Sequence, residues 1–228
     1  MRALSSLWRL TVGKKIIMAI TGAGLCAFVL GHMVGNLKIY LGREVFNHYA
    51  DWLRHMGEPL LPPTAGLCVA RLGILVCAAL HITMAVQLYR LSDAARPTRY
   101  SRVDNSLVLS RTSLMMRLGG VTLGAFILFH LAHLTWGWIA PDEFIAGDPY
   151  NNVIAGFQHV WLAGLYILAM VPLCLHLYHG IWSAFQTLGL CSPRYNALRR
   201  PVAAAFSLLI FVGNCSIPLA VQAGVLKL

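Results

Sequence analysis

The sequence predicts an all-α membrane protein, a bundle of five transmembrane helices, and three observations carry that expectation. Charged residues make up 11% of the 228 residues, less than half of the roughly 25% usual in soluble domains. Mean hydropathy is +0.67. Five apolar runs are each long enough to cross a hydrocarbon core of roughly 30 Å, which takes about 20 helical residues. The same balance excludes disorder, a disulfide-stapled secreted scaffold and an ordinary soluble enzyme.

The runs lie at about 15–36, 66–90, 117–139, 157–183 and 201–225. The first follows Arg2, Arg9, Lys14 and Lys15, a pattern that mimics a secretory leader. It continues to about Asn36 without a small-x-small cleavage site, so it reads as a retained span. Next, EVFNHYADWLRHM places Phe46, Tyr49, Leu53 and Met56 at helical spacing. That is the pattern of a helix lying in the interface, and Pro62-Pro63 is expected to end it. Residues 140–156 read as a loop between the third and fourth spans. Pro201 opens the fifth span, where a first-turn proline is tolerated. No sixth run fits and no repeat is evident, so residues 1–228 read as one domain.

Loop charge predicts direction. The net charge of +10 is carried mainly by segments between apolar runs, which points to membrane topology and not to nucleic acid. The 90–117 segment holds Arg90, Arg96, Arg99, Arg102, Arg111 and Arg117 against Asp93 and Asp104. The 184–200 segment adds Arg194, Arg199 and Arg200, whereas 140–156 holds Asp142, Glu143 and Asp148 with no basic residue. Basic loops stay inside, so the N-terminus is expected in the cytoplasm and the C-terminus outside. Five of the six cysteines lie in apolar runs and Cys191 in a loop, with no CxxC or CxxCH spacing. Covalent c-type haem and an iron–sulfur cluster on this chain are therefore not expected.

Six of nine histidines fall inside spans: His32, His81, His130, His133, His176 and His179. Polar groups in hydrocarbon are costly and mark function. Depth sorts them at about 1.5 Å per residue. His81 is nine residues from Arg90, ~14 Å, and His176 is ten from Gln186, ~15 Å. His130 is thirteen from Arg117, ~20 Å, and His32 eighteen from Lys14, ~27 Å. Two cross-helix pairs at two levels suit two stacked b-type haems, each iron with two imidazole ligands and therefore made for electron transfer. Spacing alone leaves His130 or His133, and His176 or His179, equally placed. HExxH is absent, and no Asp or Glu sits inside a span as a proton transporter would require.

These residues carry a resemblance. VGKKIIMAITG leading to GHMVGN, EVFNHYADWL, RLGGVTLGAFILFH and HLYHGIWSAFQTLG followed by SPRYN are similar to segments of the cytochrome b subunit of succinate dehydrogenases and fumarate reductases. The likeness is to the single-subunit, five-helix, two-haem class (b558 type), and it runs from about residue 5 to 215. It implies His81–His176 as axial ligands of the inner haem and His32–His130 of the outer one. His133 and His179 are then hydrogen-bond partners or haem-edge groups. It implies a flavoprotein subunit and an iron–sulfur subunit on the cytoplasmic face, with succinate bound on another subunit. Electrons would pass to a quinone, menaquinone by expectation, near the outer haem. The setting would be a bacterial cytoplasmic membrane. Some fumarate reductases of this class carry a glutamate two residues before the fourth-helix histidine. Here that place is Cys174, which favours succinate oxidation.

Further candidates follow. Haem propionates want cationic partners, and Lys14, Lys15, Arg90 and Arg117 lie near the inner edge, where positive-inside topology also accounts for them. Gly22, Gly24, Gly31, Gly35, Gly119, Gly120 and Gly124 serve close helix packing or make room beside a porphyrin. Trp136, Trp138, Trp161 and Trp182 fit an interfacial belt. Glu58, His55, His48 and Asp51 are the expected quinone-site groups, with His159 a weaker one. The competing readings are an anchor for another quinone-linked dehydrogenase, such as a hydrogenase or formate dehydrogenase, and a cofactor-free transporter.

Overall fold

The computed structural model describes Trp8 and residues 10–95, 108–190, 192–193 and 196–228, with only the backbone of 108–113. Arg2, Arg9, Arg96, Arg99, Arg102, Asp104, Cys191 and Arg194, used above for topology, lie outside the described residues, as does the side chain of Arg111. Among the described residues the chain is helical, without strands. The helices are α1 (Thr11–Asn36), α2 (Arg43–Arg54), α3 (Ala65–Ala94), α4 (Val108–Leu134), α5 (Pro149–Gln158), α6 (Val160–Thr187) and α7 (Arg199–Gln222). Five of them, α1, α3, α4, α6 and α7, are long and apolar enough to cross a membrane. At 26 residues α1 spans ~39 Å.

α6 packs most extensively on α7, α1 on α3, and α4 on α6, while α1 also touches α6 and α7. These three major pairings are antiparallel. Gly22 meets His81 while Gly24 meets Cys77, and Gly120 approaches His176 while Phe126 meets Tyr166. Met170 packs with Cys215, and Leu177 with Ile210. The bundle therefore has a basic end, where Lys14, Lys15, Arg90, Arg117, Arg199 and Arg200 gather, and a far end holding α2, α5 and the C-terminus. Many outward residues are large and apolar, among them Val69, Leu72, Val121 and Leu168. Lipid tails solvate such a surface as well as a protein core would. Small hydroxyl side chains within the spans bond to their own helix, as Thr21 does to the Ile17 carbonyl at 2.7 Å and Ser207 to that of Ala203 at 2.7 Å.

The far end is tied together by a polar clasp. Arg43 pairs with Asp148, and Asn47 donates to the same carboxylate at 2.8 Å. Asn47 also accepts from the Tyr150 N–H at 3.0 Å. The Tyr150 hydroxyl reaches the Lys227 carbonyl at 3.1 Å. Ile39, Phe46, Ile154, Phe157 and Ile217 form the apolar core beneath it.

Several expected boundaries are corrected. α2 ends at Arg54, not at Pro62-Pro63, because His55 leaves helical geometry and Gly57 takes a left-handed φ of 99°. The third span ends at Leu134, not 139, and Gly137 turns the chain at φ 65° with the Phe144 ring close against it. The expected 140–156 loop contains the start of α5. Asp148 caps it, accepting from the Asn151 N–H at 3.1 Å, and Pro149 occupies its first turn, a standard start signal. The chain then breaks at His159 (φ −74°, ψ 111°), so the expected run at 157–183 straddles two helices. α7 ends at Gln222, short of 225.

Candidate metal centre

Four of the spanning helices bring their histidines together in two pairs. His32 on α1 faces His130 on α4, with ring centres 5.9 Å apart and planes at 89°. His81 on α3 faces His176 on α6, with ring centres 6.3 Å apart and planes at 61°. Two imidazoles bonded to opposite sides of one metal, each at roughly 2.0–2.1 Å, have ring centres about 6 Å apart. The helices carrying partners, α1 with α4 and α3 with α6, are not among the closely packed pairs of described elements.

The two levels are separated by the same interval on two helices. On α1, Gly22 lies beside His81, and His32 follows ten residues later. On α6, Tyr166 touches His130, and His176 follows ten residues later. Ten helical residues span ~15 Å.

Local chemistry fixes one ring. His81 Nδ1 lies 3.0 Å from the Met18 carbonyl. A carbonyl only accepts, so Nδ1 carries the hydrogen and Nε2 keeps the lone pair. Gly22 permits this approach, since a Cβ there would lie 3.1 Å from His81 Cε1. In the opposite ring, His176 Nδ1 is buried and has no hydrogen-bond partner among the described residues. His32 stacks on Phe28 at 5.4 Å. Among the described residues no group of three or more His, Cys, Asp or Glu side chains could hold a bare metal ion. Each level offers two nitrogen donors, too few for a four-ligand zinc shell but the number that completes a metal held by a macrocycle.

The second histidine of each close pair behaves differently. His133 is buried, at 3% exposure, and its Nδ1 meets the Tyr166 hydroxyl at 2.9 Å. His179 packs edge-on against Trp182, ring centres 5.5 Å apart. Tyr166 was missed by reading the sequence. A lone tyrosine in an apolar run gives no signal, and only the packing of α4 on α6 shows that its hydroxyl touches His130 at 3.3 Å as well.

At the basic end, Lys14 lies four residues before Met18, and Arg117 three before Gly120, whose Cβ position is 3.9 Å from His176. Both are about one turn from the His81–His176 level. Arg117 packs over the Tyr89 ring at 4.0 Å. Lys15 and Arg90 are exposed, with Arg90 nine residues from His81. Of the seven glycines, Gly22, Gly24 and Gly35 lie against His81, Cys77 and Tyr49, whereas Gly31 and Gly124 have nothing near their Cβ positions. Trp136 and Trp138 pair at 4.7 Å beyond the end of α4.

At the far end, His55 Nδ1 lies 3.0 Å from Glu58 Oε1 and its Nε2 3.8 Å from Asp51 Oδ1. The hydrogen bond and charge of Glu58 hold His55 above its ordinary range. His48 is exposed and shares their face of α2 at helical spacing. Glu58 lies on the exposed turn through Pro63, which forms an open hollow at the surface. His159 pairs instead with Glu143 at 3.0 Å. Burial alone would raise the Asp148 carboxyl. The hydrogen bonds from Asn47, the Asn151 N–H and Arg43, with the guanidinium charge, outweigh it and hold the carboxyl below the ordinary range.

Fold and site together define a multi-pass, all-helical protein with two histidine pairs stacked along its bundle. No family model, curated protein or solved structure matches the chain.

Proposed function

We propose that the chain is a di-haem cytochrome b, the membrane anchor of a succinate:quinone oxidoreductase. The observation that carries this reading is the pair of facing imidazole couples, 5.9 and 6.3 Å between ring centres, from four different helices. The donor set fits haem b: two imidazoles per level, with the His81 ring oriented by the Met18 carbonyl and, in the facing ring, His176 Nδ1 buried without a partner among the described residues. His32 and His130 hold one group, His81 and His176 the other. Lys14 and Arg117, a turn from the His81–His176 level, are placed to pair with propionates of that group, and Lys15 and Arg90 add positive potential at the same end. Haem b held between two imidazoles would supply one-electron carriage.

The remaining roles follow from the two ends. The basic end faces the cytoplasm by the positive-inside rule and docks the iron–sulfur and flavoprotein subunits. Succinate is handled on the flavoprotein subunit. The far end takes the quinone, with Glu58 on the exposed turn and its partner His55 as the proton-exchanging groups, and Asp51 and His48 on the same side. Menaquinone is the substrate the resemblance favours, and a bacterial cytoplasmic membrane the setting.

The test is purification of the tagged chain from cells carrying its partner subunits. A pyridine haemochrome assay should give about two b haems per chain by the ligand count, and a flavoprotein should co-purify. Absence of haem would end the cytochrome reading. Haem without a flavoprotein partner would move the chain to another class of quinone-linked cytochrome.

A further inference from the structure

The Tyr166 hydroxyl lies between two imidazoles of α4, 2.9 Å from His133 Nδ1 and 3.3 Å from His130 Nδ1. A phenol has one hydrogen, so it donates to one ring and accepts from the other. The direction decides what each ring offers at Nε2. A neutral imidazole that accepts at Nδ1 carries its hydrogen on Nε2. One that donates from Nδ1 keeps a bare Nε2.

The surroundings select the direction. The outer atoms of the His133 ring, Nε2 and Cε1, lie against Gly156. They border a pocket of about 10 Å³ that also meets Glu143 and Asn152, room for about one water. Glu143, whose carboxylate His159 holds at 3.0 Å, lays negative charge on that side of His133, which suits an Nε2–H. The His130 ring instead faces His32. The two distances run the same way, since O–H donors make shorter bonds than N–H donors. Gly156 completes the arrangement, because any Cβ there would overlap the His133 ring.

We propose that Tyr166 is a positioning residue that fixes His130 and His133 in opposite tautomers. His130 Nδ1–H donates to the Tyr166 oxygen and presents a bare Nε2 towards His32. The Tyr166 O–H donates to His133 Nδ1, and His133 turns its Nε2–H to the far-end pocket. Two histidines three residues apart on one helix are thereby made inequivalent by a third residue on another. What His130 binds rests on the haem reading, whereas the tautomers do not.

The experiment uses the purified complex with ¹⁵N-labelled histidine, wild type and Tyr166→Phe, which keeps the ring packed on Phe126 and Phe157 and removes only the hydroxyl. NMR of the reduced, diamagnetic protein reads the His133 tautomer, and redox titration reads both haem components. In the wild type His133 should carry its hydrogen on Nε2. In Tyr166→Phe that preference should be lost. The potential of the component that His32→Ala abolishes should rise, because an Nδ1–H donor bond makes the ligand more basic and favours oxidised iron. The other component should not move. A wild-type His133 protonated on Nδ1 overturns the proposal even if the variant fails to assemble. So does a Tyr166→Phe protein with the His133 signal and both potentials unchanged. If the wild type holds no haem, the haem reading fails and the His133 tautomer still decides the role of Tyr166.

Discussion

His81 on α3 donates from Nδ1 to the backbone carbonyl of Met18 on α1 across 3.0 Å. The partner is backbone, so changing the Met18 side chain leaves the bond available. The vulnerable position is Gly22, where a Cβ would lie 3.1 Å from His81 Cε1. Gly22→Val should displace the ring and remove or broaden one spectral component, whereas Met18→Leu should retain both. Reduced-minus-oxidised difference spectra read the outcome. Two intact components in Gly22→Val would show that His81 has no such dependence on α1.

Pairing makes the next prediction. On the haem reading, replacing His32 or His130 should abolish one and the same spectral component, and replacing His81 or His176 the other, since both imidazoles of a pair would hold one iron. His133→Ala and His179→Ala should keep both components, with shifted potentials at most, because their contacts run to Tyr166 and Trp182. Potentiometric titration of the six variants is the measurement. Loss of a component in His133→Ala with none lost in His130→Ala would reverse the assignment on α4.

The far-end cluster predicts a pH dependence. His55 is held above the ordinary imidazole value of about 6.5 by Glu58. It therefore stays protonated, and paired with Glu58, to a higher pH than a free histidine, and the pairing is lost as pH rises through that raised value. Glu58→Gln should bring the His55 titration down towards the free value, as seen by NMR of His55, and should lower quinone turnover with both haems retained. Unchanged turnover in both Glu58→Gln and His55→Ala would remove these residues from the proposed quinone site.

Asp148 predicts acid sensitivity of the clasp. Its folded carboxyl titrates below its ordinary range, so its stabilising contribution is present above the unfolded value of about 3.9. It is lost as pH falls through the lower folded value. Asp148→Ala should weaken the far end at neutral pH by about 0.5–2 kcal/mol, the usual cost of an N-cap. Limited proteolysis of the segments around α2 and α5 should speed up in the variant, and in the wild type only at low pH. Equal cleavage of both proteins at neutral pH would count against the clasp.

The five spans were legible because lipid imposes length and hydropathy on every spanning helix, and the histidines because a polar residue there stands out. The joining of His32 with His130 and His81 with His176 followed from depth once one histidine of each close pair had been chosen. At the far end the sequence pointed to α2 but not to α5. α5 is a ten-residue helix inside a run read as loop and span, although Asp148-Pro149 marked its start. Tyr166 was invisible for a different reason. Its role depends on which face of α6 meets α4, and an apolar run that is hydrophobic all round does not report which face is turned inward.

The interval of ten residues that recurs on α1 and α6 also limits how such a bundle can change. Each added helical residue turns everything beyond it by about 100° and advances it by only 1.5 Å. One residue inserted between Gly22 and His32 would swing His32 away from His130 long before it lengthened the gap between levels. The distance between the two levels is thus quantised. It can shift only by about a whole turn, three or four residues, and only if α1 and α6 take the same step together.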